Sequence, residues 1–201
     1  MKHTVNYHSN FPHNFQSVQM PSGNLFLIGG GDFNKMPDSL YECYEIMVQD
    51  GSYGIISRDR MKYPRHGHSA CSIGERFIVV TGSRKENEQA QVKAECYNVN
   101  IDLWFDLPQM NEGRHYHASC SFMDRFVYVF CGISNSTKKY INTIERFDNQ
   151  TKRPWELIEF QVDQFPARQG LGVAQMNKEE ILIFGGFNGK YMKEAHILNC
   201  N

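Results

Sequence analysis

At 201 residues with 41% hydrophobic content, the chain has enough apolar material for one domain with a buried core, which excludes general disorder. A formal charge of −1, with Lys and Glu scattered evenly, supplies neither a basic face for nucleic acid nor a polybasic patch for lipid headgroups. Neither nucleic acid nor membrane is therefore expected as a partner; no cofactor is expected.

In chain order, His3 to His8 reads as an unattached strand ahead of a repeating pattern. Its first copy opens at Pro12-His13-Asn14-Phe15-Gln16-Ser17-Val18. Leu25 to Gly30 then forms a short apolar run ending in a glycine pair, the reading of a buried strand. That run is far too short to span a bilayer, and Met1-Lys2-His3-Thr4 lacks the apolar stretch of a signal peptide, so a soluble, cytoplasmic protein is expected. An acidic residue before an aromatic follows, Glu42-Cys43-Tyr44.

The second copy, Pro64-Arg65-His66-Gly67-His68-Ser69-Ala70-Cys71, and the third, Gly113-Arg114-His115-Tyr116-His117-Ala118-Ser119-Cys120, keep Arg, both His and Cys in register. Pro166-Ala167-Arg168-Gln169-Gly170-Leu171 is a weaker fourth. Their apolar runs are Phe77 to Gly82, Phe126 to Gly132 and Ile181 to Gly186, with Thr81-Gly82 and Cys131-Gly132 in place of two glycine pairs. The acidic–aromatic segment recurs as Glu95-Cys96-Tyr97 and Glu145-Arg146-Phe147, and more loosely as His196-Ile197-Leu198. Trp104 and Trp155 follow in the second and third copies. The first copy has no tryptophan, which leaves its outer strand, sought between Met47 and Ile56, the least defined. The fourth copy stops before that strand.

A glycine pair, an aromatic and a tryptophan in that order, at a period of about 50 residues, resemble the Kelch motif. The resemblance covers nearly the whole chain, in repeats of roughly 12–63, 64–112, 113–165 and 166–201. It implies an all-β propeller of about four blades, each a four-stranded antiparallel sheet. Either the ring closes by pairing the strand at 3–8 with the fourth blade, or the blades belong to a larger, six-bladed ring, a longer chain or an assembly.

The repeat residues then have structural work. Gly29, Gly30, Gly82, Gly132, Gly185 and Gly186 permit a sharp bend at the end of the second strand. Tyr44, Tyr97, Phe147, Trp104 and Trp155 fill the space between blades. Arg65, Arg114 and Arg168 suit hydrogen bonding to loop carbonyls. Cys71 and Cys120 share one repeat position and Cys43 and Cys96 another, so all four read as buried free thiols.

By the same resemblance, the residues after each arginine line the channel mouth where related domains take up partner peptides. These are Asn14 and Phe15, His66 and Gly67, His115 and Tyr116, and Gln169 and Gly170. Residues after the glycines rim that face: Asp32 and Phe33, Ser83 and Arg84, Phe187 and Asn188. The expectation is a non-catalytic module that binds a partner protein there, as a scaffold, substrate adaptor or cytoskeletal component. The alternative is an enzyme-like propeller binding metal or carbohydrate, resting on His66, His68, His115 and His117 as two HxH pairs. No catalytic motif accompanies them, and no metal is expected. A third reading makes the repeats a structural spacer.

Overall fold

The computed structural model describes residues 12–31, 39–49, 52–84, 92–159 and 165–200. The expected strand at 3–8 lies outside them, as do Asp32 and Phe33. Regular structure among the described residues is all β, and no helix is long and apolar enough to cross a membrane.

Blade one consists of β1 (Gln16–Gln19), β2 (Leu25–Ile28), β3 (Cys43–Gln49) and β4 (Ser52–Ser57), paired in that order. Blade two repeats the meander with β5 (Ser69–Ile73), β6 (Phe77–Thr81), β7 (Ala94–Asn98) and β8 (Leu103–Leu107). A two-stranded ribbon of β9 (Arg114–His115) and β12 (Ile133–Ser134) caps blade three, which is built from β10 (Ala118–Phe122), β11 (Phe126–Phe130), β13 (Ile144–Asp148) and β14 (Glu156–Ile158). Among the described residues blade four has three strands, β15 (Gly172–Gln175), β16 (Glu180–Phe184) and β17 (Ala195–Asn199). All pairings are antiparallel. The inner strands adjoin in sequence, β1 with β5, β5 with β10 and β10 with β15.

Alternation along each strand gives every blade two apolar faces, and these meet in three separate cores. Val18, Phe26 and Ile28 of blade one pack on Ile78, Val80, Tyr97 and Trp104 of blade two. Val79, Ala94 and Cys96 pack on Val127, Val129, Phe147 and Trp155 of blade three. Tyr128, Phe130 and Ile144 pack on Leu171, Ile181, Ile183 and Leu198 of blade four. Trp104 lies 5.0 Å from the Tyr97 ring and donates its indole N–H to the Asp59 carbonyl at 2.8 Å. Trp155 repeats this against Phe147 at 5.3 Å and the Pro108 carbonyl at 2.9 Å. Each indole thereby ties its blade to the chain leaving the preceding one.

Strand register corrects the repeat alignment. The last residue of each second strand pairs with the first of the third: Ile28 with Cys43, Thr81 with Ala94, Phe130 with Ile144 and Phe184 with Ala195. Cys43 therefore matches Ala94 rather than Cys96, and Ile46 rather than Tyr44 stands where Tyr97 and Phe147 stand. A slip of two residues leaves every side chain on its original face, so alternation could not reveal it. Tyr44 is only half-buried, which removes it from the fully buried inter-blade aromatics. Gly82 is likewise the first residue beyond its strand: its φ of 64° matches Gly29 (60°), Cys131 (59°) and Gly185 (65°), and Ser83 takes the place of the second glycine. Blade one does possess its outer strand, with Ile55 opposite Ile46 as Trp104 is opposite Tyr97.

Candidate functional site

The loops at one end of the blades are held by buried arginines. Arg65 is 0% exposed; it donates to the Gly82 carbonyl at 2.7 Å, the Lys93 carbonyl at 3.0 Å and the Glu95 carboxylate at 2.9 Å. Arg114 does the same with the Cys131 and Thr143 carbonyls, both at 3.0 Å, and with Glu145 at 2.6 Å. The carboxylates in turn accept backbone N–H groups from the inter-blade loop, Lys62 at 2.7 Å for Glu95 and Asn111 at 2.7 Å for Glu145. Arg168 donates to the Gly185 carbonyl at 3.1 Å, and its carboxylate partner is replaced by His196 at 3.1 Å. Burial and the nearby guanidinium lower the pKa of His196, which suits a neutral imidazole accepting from Arg168. In blade one, Pro12 occupies the arginine position and Tyr44 the glutamate position, so both halves of the pair are absent together.

Immediately after these anchors, four residues adopt the left-handed conformation at one repeat position: Asn14 (φ 52°), Gly67 (61°), Tyr116 (51°) and Gly170 (59°). This places His13, not Asn14, in line with His66. The turns are linked from blade to blade, because the Tyr116 N–H donates to the Gly67 carbonyl at 2.7 Å and the Gly170 N–H to the Tyr116 carbonyl at 2.9 Å. Left-handed backbone is unfavourable for a bulky L-residue by about 1–2 kcal/mol. Tyr116 nevertheless takes it, its ring lying across Gly67 so closely that a Cβ there would sit 2.9 Å from a ring carbon. The hydrogen-bonded chain of turns over-determines the strained position, a combination that concentrates at ligand-binding surfaces.

Beside this row of turns is a cavity of about 980 Å³ lined by residues of all four blades. Asn14, Phe15 and Gln16 come from the first, Gly67 to Ala70 from the second, Tyr116 to Ser119 from the third, and Gln169 to Leu171 with Val173 from the fourth. Phe187, Tyr191 and Met192 complete one wall. The Phe187 ring makes edge contacts with Tyr140 at 6.4 Å and Tyr191 at 5.3 Å, and Tyr191 is 85% exposed. Among the described residues the lining carries no Asp, Glu, Lys or Arg, and its polarity there comes from amides, hydroxyls and imidazoles.

Of the residues expected at the channel mouth, Asn14, Phe15, Tyr116, Gln169 and Phe187 line the cavity, and Arg84 is exposed beside it with its N–H bonded to the His66 carbonyl. Asn188 is half-buried and outside the lining. His66 and His115 do not belong to the open face. Both are buried, with Nδ1 of His66 2.8 Å from the Ser39 hydroxyl and Nδ1 of His115 2.6 Å from the Asn135 side-chain oxygen. The chain bends at the left-handed residue directly after each histidine, and in the third copy it is that residue, Tyr116, whose side chain lines the cavity. Tyr191 and Met192 were missed because they follow a polar loop, Asn188 to Lys190, that carries no periodic signal.

The second histidine of each pair works between blades. His68 and His117 fill the space against the first glycine of the preceding blade; a Cβ on Gly29 would lie 2.8 Å from the His68 ring and 2.7 Å from the Arg65 carbonyl. His117 meets the Thr81 hydroxyl at 2.9 Å. Burial, reinforced by Arg65, pushes the pKa of His68 down to about 3, and burial with Arg114 lowers that of His117 strongly. Burial thus favours the neutral form of both imidazoles, which pack between blades at the edge of the cavity. Among the described residues no group of three His, Cys, Asp or Glu side chains could hold a metal ion.

Comparison with known proteins agrees with this architecture. Residues 14–201 match the family described as the KLHDC2/KLHL20/DRC7 Kelch-repeats domain. The chain is also 33% identical over 98 residues to the F-box/kelch-repeat protein SKIP20 of Arabidopsis thaliana, a match covering 46% of this chain and 22% of that protein. Repeated arginine-pinned blades, positive-φ strand ends and a match over almost the full sequence together place this chain in the Kelch-repeat family.

Proposed function

We propose that the chain is a non-catalytic interaction module that holds a segment of a partner protein in the mouth of the central cavity. The observation supporting it most directly is the aromatic-edged cavity of about 980 Å³ to which every blade contributes, with no Asp, Glu, Lys or Arg among the described residues that line it. Aromatic side chains beside amides and hydroxyls combine large contact area with directional hydrogen bonds, the composition of binding hot spots. Tyr116, held in strained backbone, and the Phe187–Tyr191 pair are the anchors in this reading, with Gln169 and Asn14 setting polar register.

The partial likeness to an F-box/kelch-repeat protein favours a substrate-adaptor role over a cytoskeletal or purely structural one. In that role the channel selects the protein to be delivered and the activity resides elsewhere. The expected setting is the cytoplasm, with neither nucleic acid nor membrane as ligand.

Affinity capture from source-cell lysate tests the proposal, using the wild-type chain beside a folded Tyr116→Ala, Phe187→Ala double variant. A protein retained by the first and lost by the second is the expected result. Equal recovery by both would move the binding surface away from the cavity, and recovery by neither would favour a spacer.

A further inference from the structure

Charge is balanced turn by turn at one end of the blades and unbalanced at the cavity end. The turns between first and second strands set each cation beside an acid, as Glu75-Arg76, Asp124-Arg125 and Lys178-Glu179. Arg125 also bonds Asp148 at 2.6 Å. The loops after the second strands form the cavity end, where Phe187 and Tyr191 line the wall. In blades two to four the exposed charges of these loops, among the described residues, are Arg84, Lys138, Lys139, Lys190 and Lys193 against Glu194.

Two of these cations are fixed to one small framework. Arg84 donates its backbone N–H to the His66 carbonyl at 2.9 Å. Lys138 sits in left-handed backbone (φ 61°), and its ammonium bonds the Asn135 carbonyl. Asn135, 5% exposed, ties the two blades together: its side-chain N–H donates to the Ser83 carbonyl at 2.9 Å, and its side-chain oxygen meets Nδ1 of His115 at 2.6 Å. Both cations act on that imidazole. Burial lowers the pKa of His115, and the charges of Arg84 and Lys138 lower it further against the opposing Asn135 bond. Among the described residues neither cation has a carboxylate within ion-pair distance. The Tyr116 ring stands 5.0 Å from the His115 ring and lines the cavity, so the two charges lie next to an aromatic anchor.

We propose that Arg84 and Lys138 form a carboxylate-binding rim, so that the segment held in the cavity carries an Asp or Glu side chain beside the residue that contacts Tyr116. This rests on the reading of the cavity as a protein-recognition site and adds the chemistry of the segment. Charge complementarity fixes the occupant. A guanidinium offers a planar fork to a carboxylate and an ammonium adds a point charge, whereas like charges left together repel. The described residues of the lining itself carry no charge to match an acid, which places the acidic side chain at the rim and an apolar neighbour inside.

Panning a random phage-displayed peptide library on the wild-type chain tests this. Selected sequences are titrated as synthetic peptides with amidated C-termini, which removes the terminal carboxylate as the anion. Peptides that lose affinity for Tyr116→Ala are expected to carry an Asp or Glu at a fixed spacing from an apolar residue. Changing that acid to its amide is expected to weaken binding to the wild type about fivefold and to leave binding to an Arg84→Gln, Lys138→Gln double variant unchanged. Both positions are exposed; should the double variant fail to fold, Arg84→Gln alone makes the same comparison. Arg153→Gln, at an exposed cation of the opposite end, is expected to bind as the wild type does. Tyr116-dependent peptides without acidic enrichment, or an acid-to-amide change that costs as much in the double variant, would overturn the carboxylate rim and leave the cavity reading standing. Absence of any peptide that depends on Tyr116 or Phe187 would overturn both.

Discussion

The arginine anchors show how a single residue type sets loop geometry. Arg65 and Glu95 are both 0% exposed, and the carboxylate also holds the Lys62 backbone amide, so removing it strands a buried guanidinium. Glu95→Ala is expected to cost about 3–5 kcal/mol in urea unfolding. Glu156→Ala, which breaks the exposed Arg146–Glu156 pair, is expected to cost no more than about 1 kcal/mol. The buried histidines make stability pH-dependent. His68 is held neutral with its pKa lowered to about 3 from 6.5, so its contribution is complete above the unfolded value and is lost as pH falls through that window. The decline is about 1.4 kcal/mol per pH unit for each such group. His68→Leu, which installs the residue type that Leu171 supplies in blade four, is expected to flatten the stability profile between about pH 6 and pH 4 by that slope. An unchanged profile would mean that His68 is charged or solvated in the folded chain.

At the scale of elements, the blades were legible where chemistry is local and obscure where it depends on register. Short apolar runs ending in glycine announced the second strands, and the Arg-His copies announced the turns into the first. Tyr44 shows the limit: sitting beside Cys43 after Glu42, it imitates Glu95-Cys96-Tyr97 in letters, and a two-residue slip preserves its face. Only pairing with Leu27, against the pairing of Tyr97 with Ile78, separates them. The glutamate partners of the arginines were likewise invisible, because the Arg65–Glu95 contact joins residues 30 apart through a loop of variable length. Trp104, 6% exposed between blades one and two, is expected to lose about 3–5 kcal/mol on replacement by alanine. Replacing half-buried Ile55, its counterpart in blade one, is expected to cost clearly less, and denaturation of the two variants side by side checks the order.

For the whole molecule, the channel face was only partly foreseeable. Tyr116, Phe187 and Gln169 reach the cavity because they follow recurrent anchors, while His66 and His115 turn inward to Ser39 and Asn135. Tyr191 joins from a loop whose path no periodicity encodes. The aromatic-edged cavity is the proposed recognition site, and calorimetric titration of a peptide ligand selected against the wild-type chain tests it most directly. Tyr116→Ala and Phe187→Ala are each expected to weaken binding about 30-fold, the loss that corresponds to roughly 2 kcal/mol at a hot spot. Leu157→Ala, on the exposed outer strand of blade three, is expected to bind as the wild type does. Full affinity in both channel variants, or a comparable loss in Leu157→Ala, would contradict it.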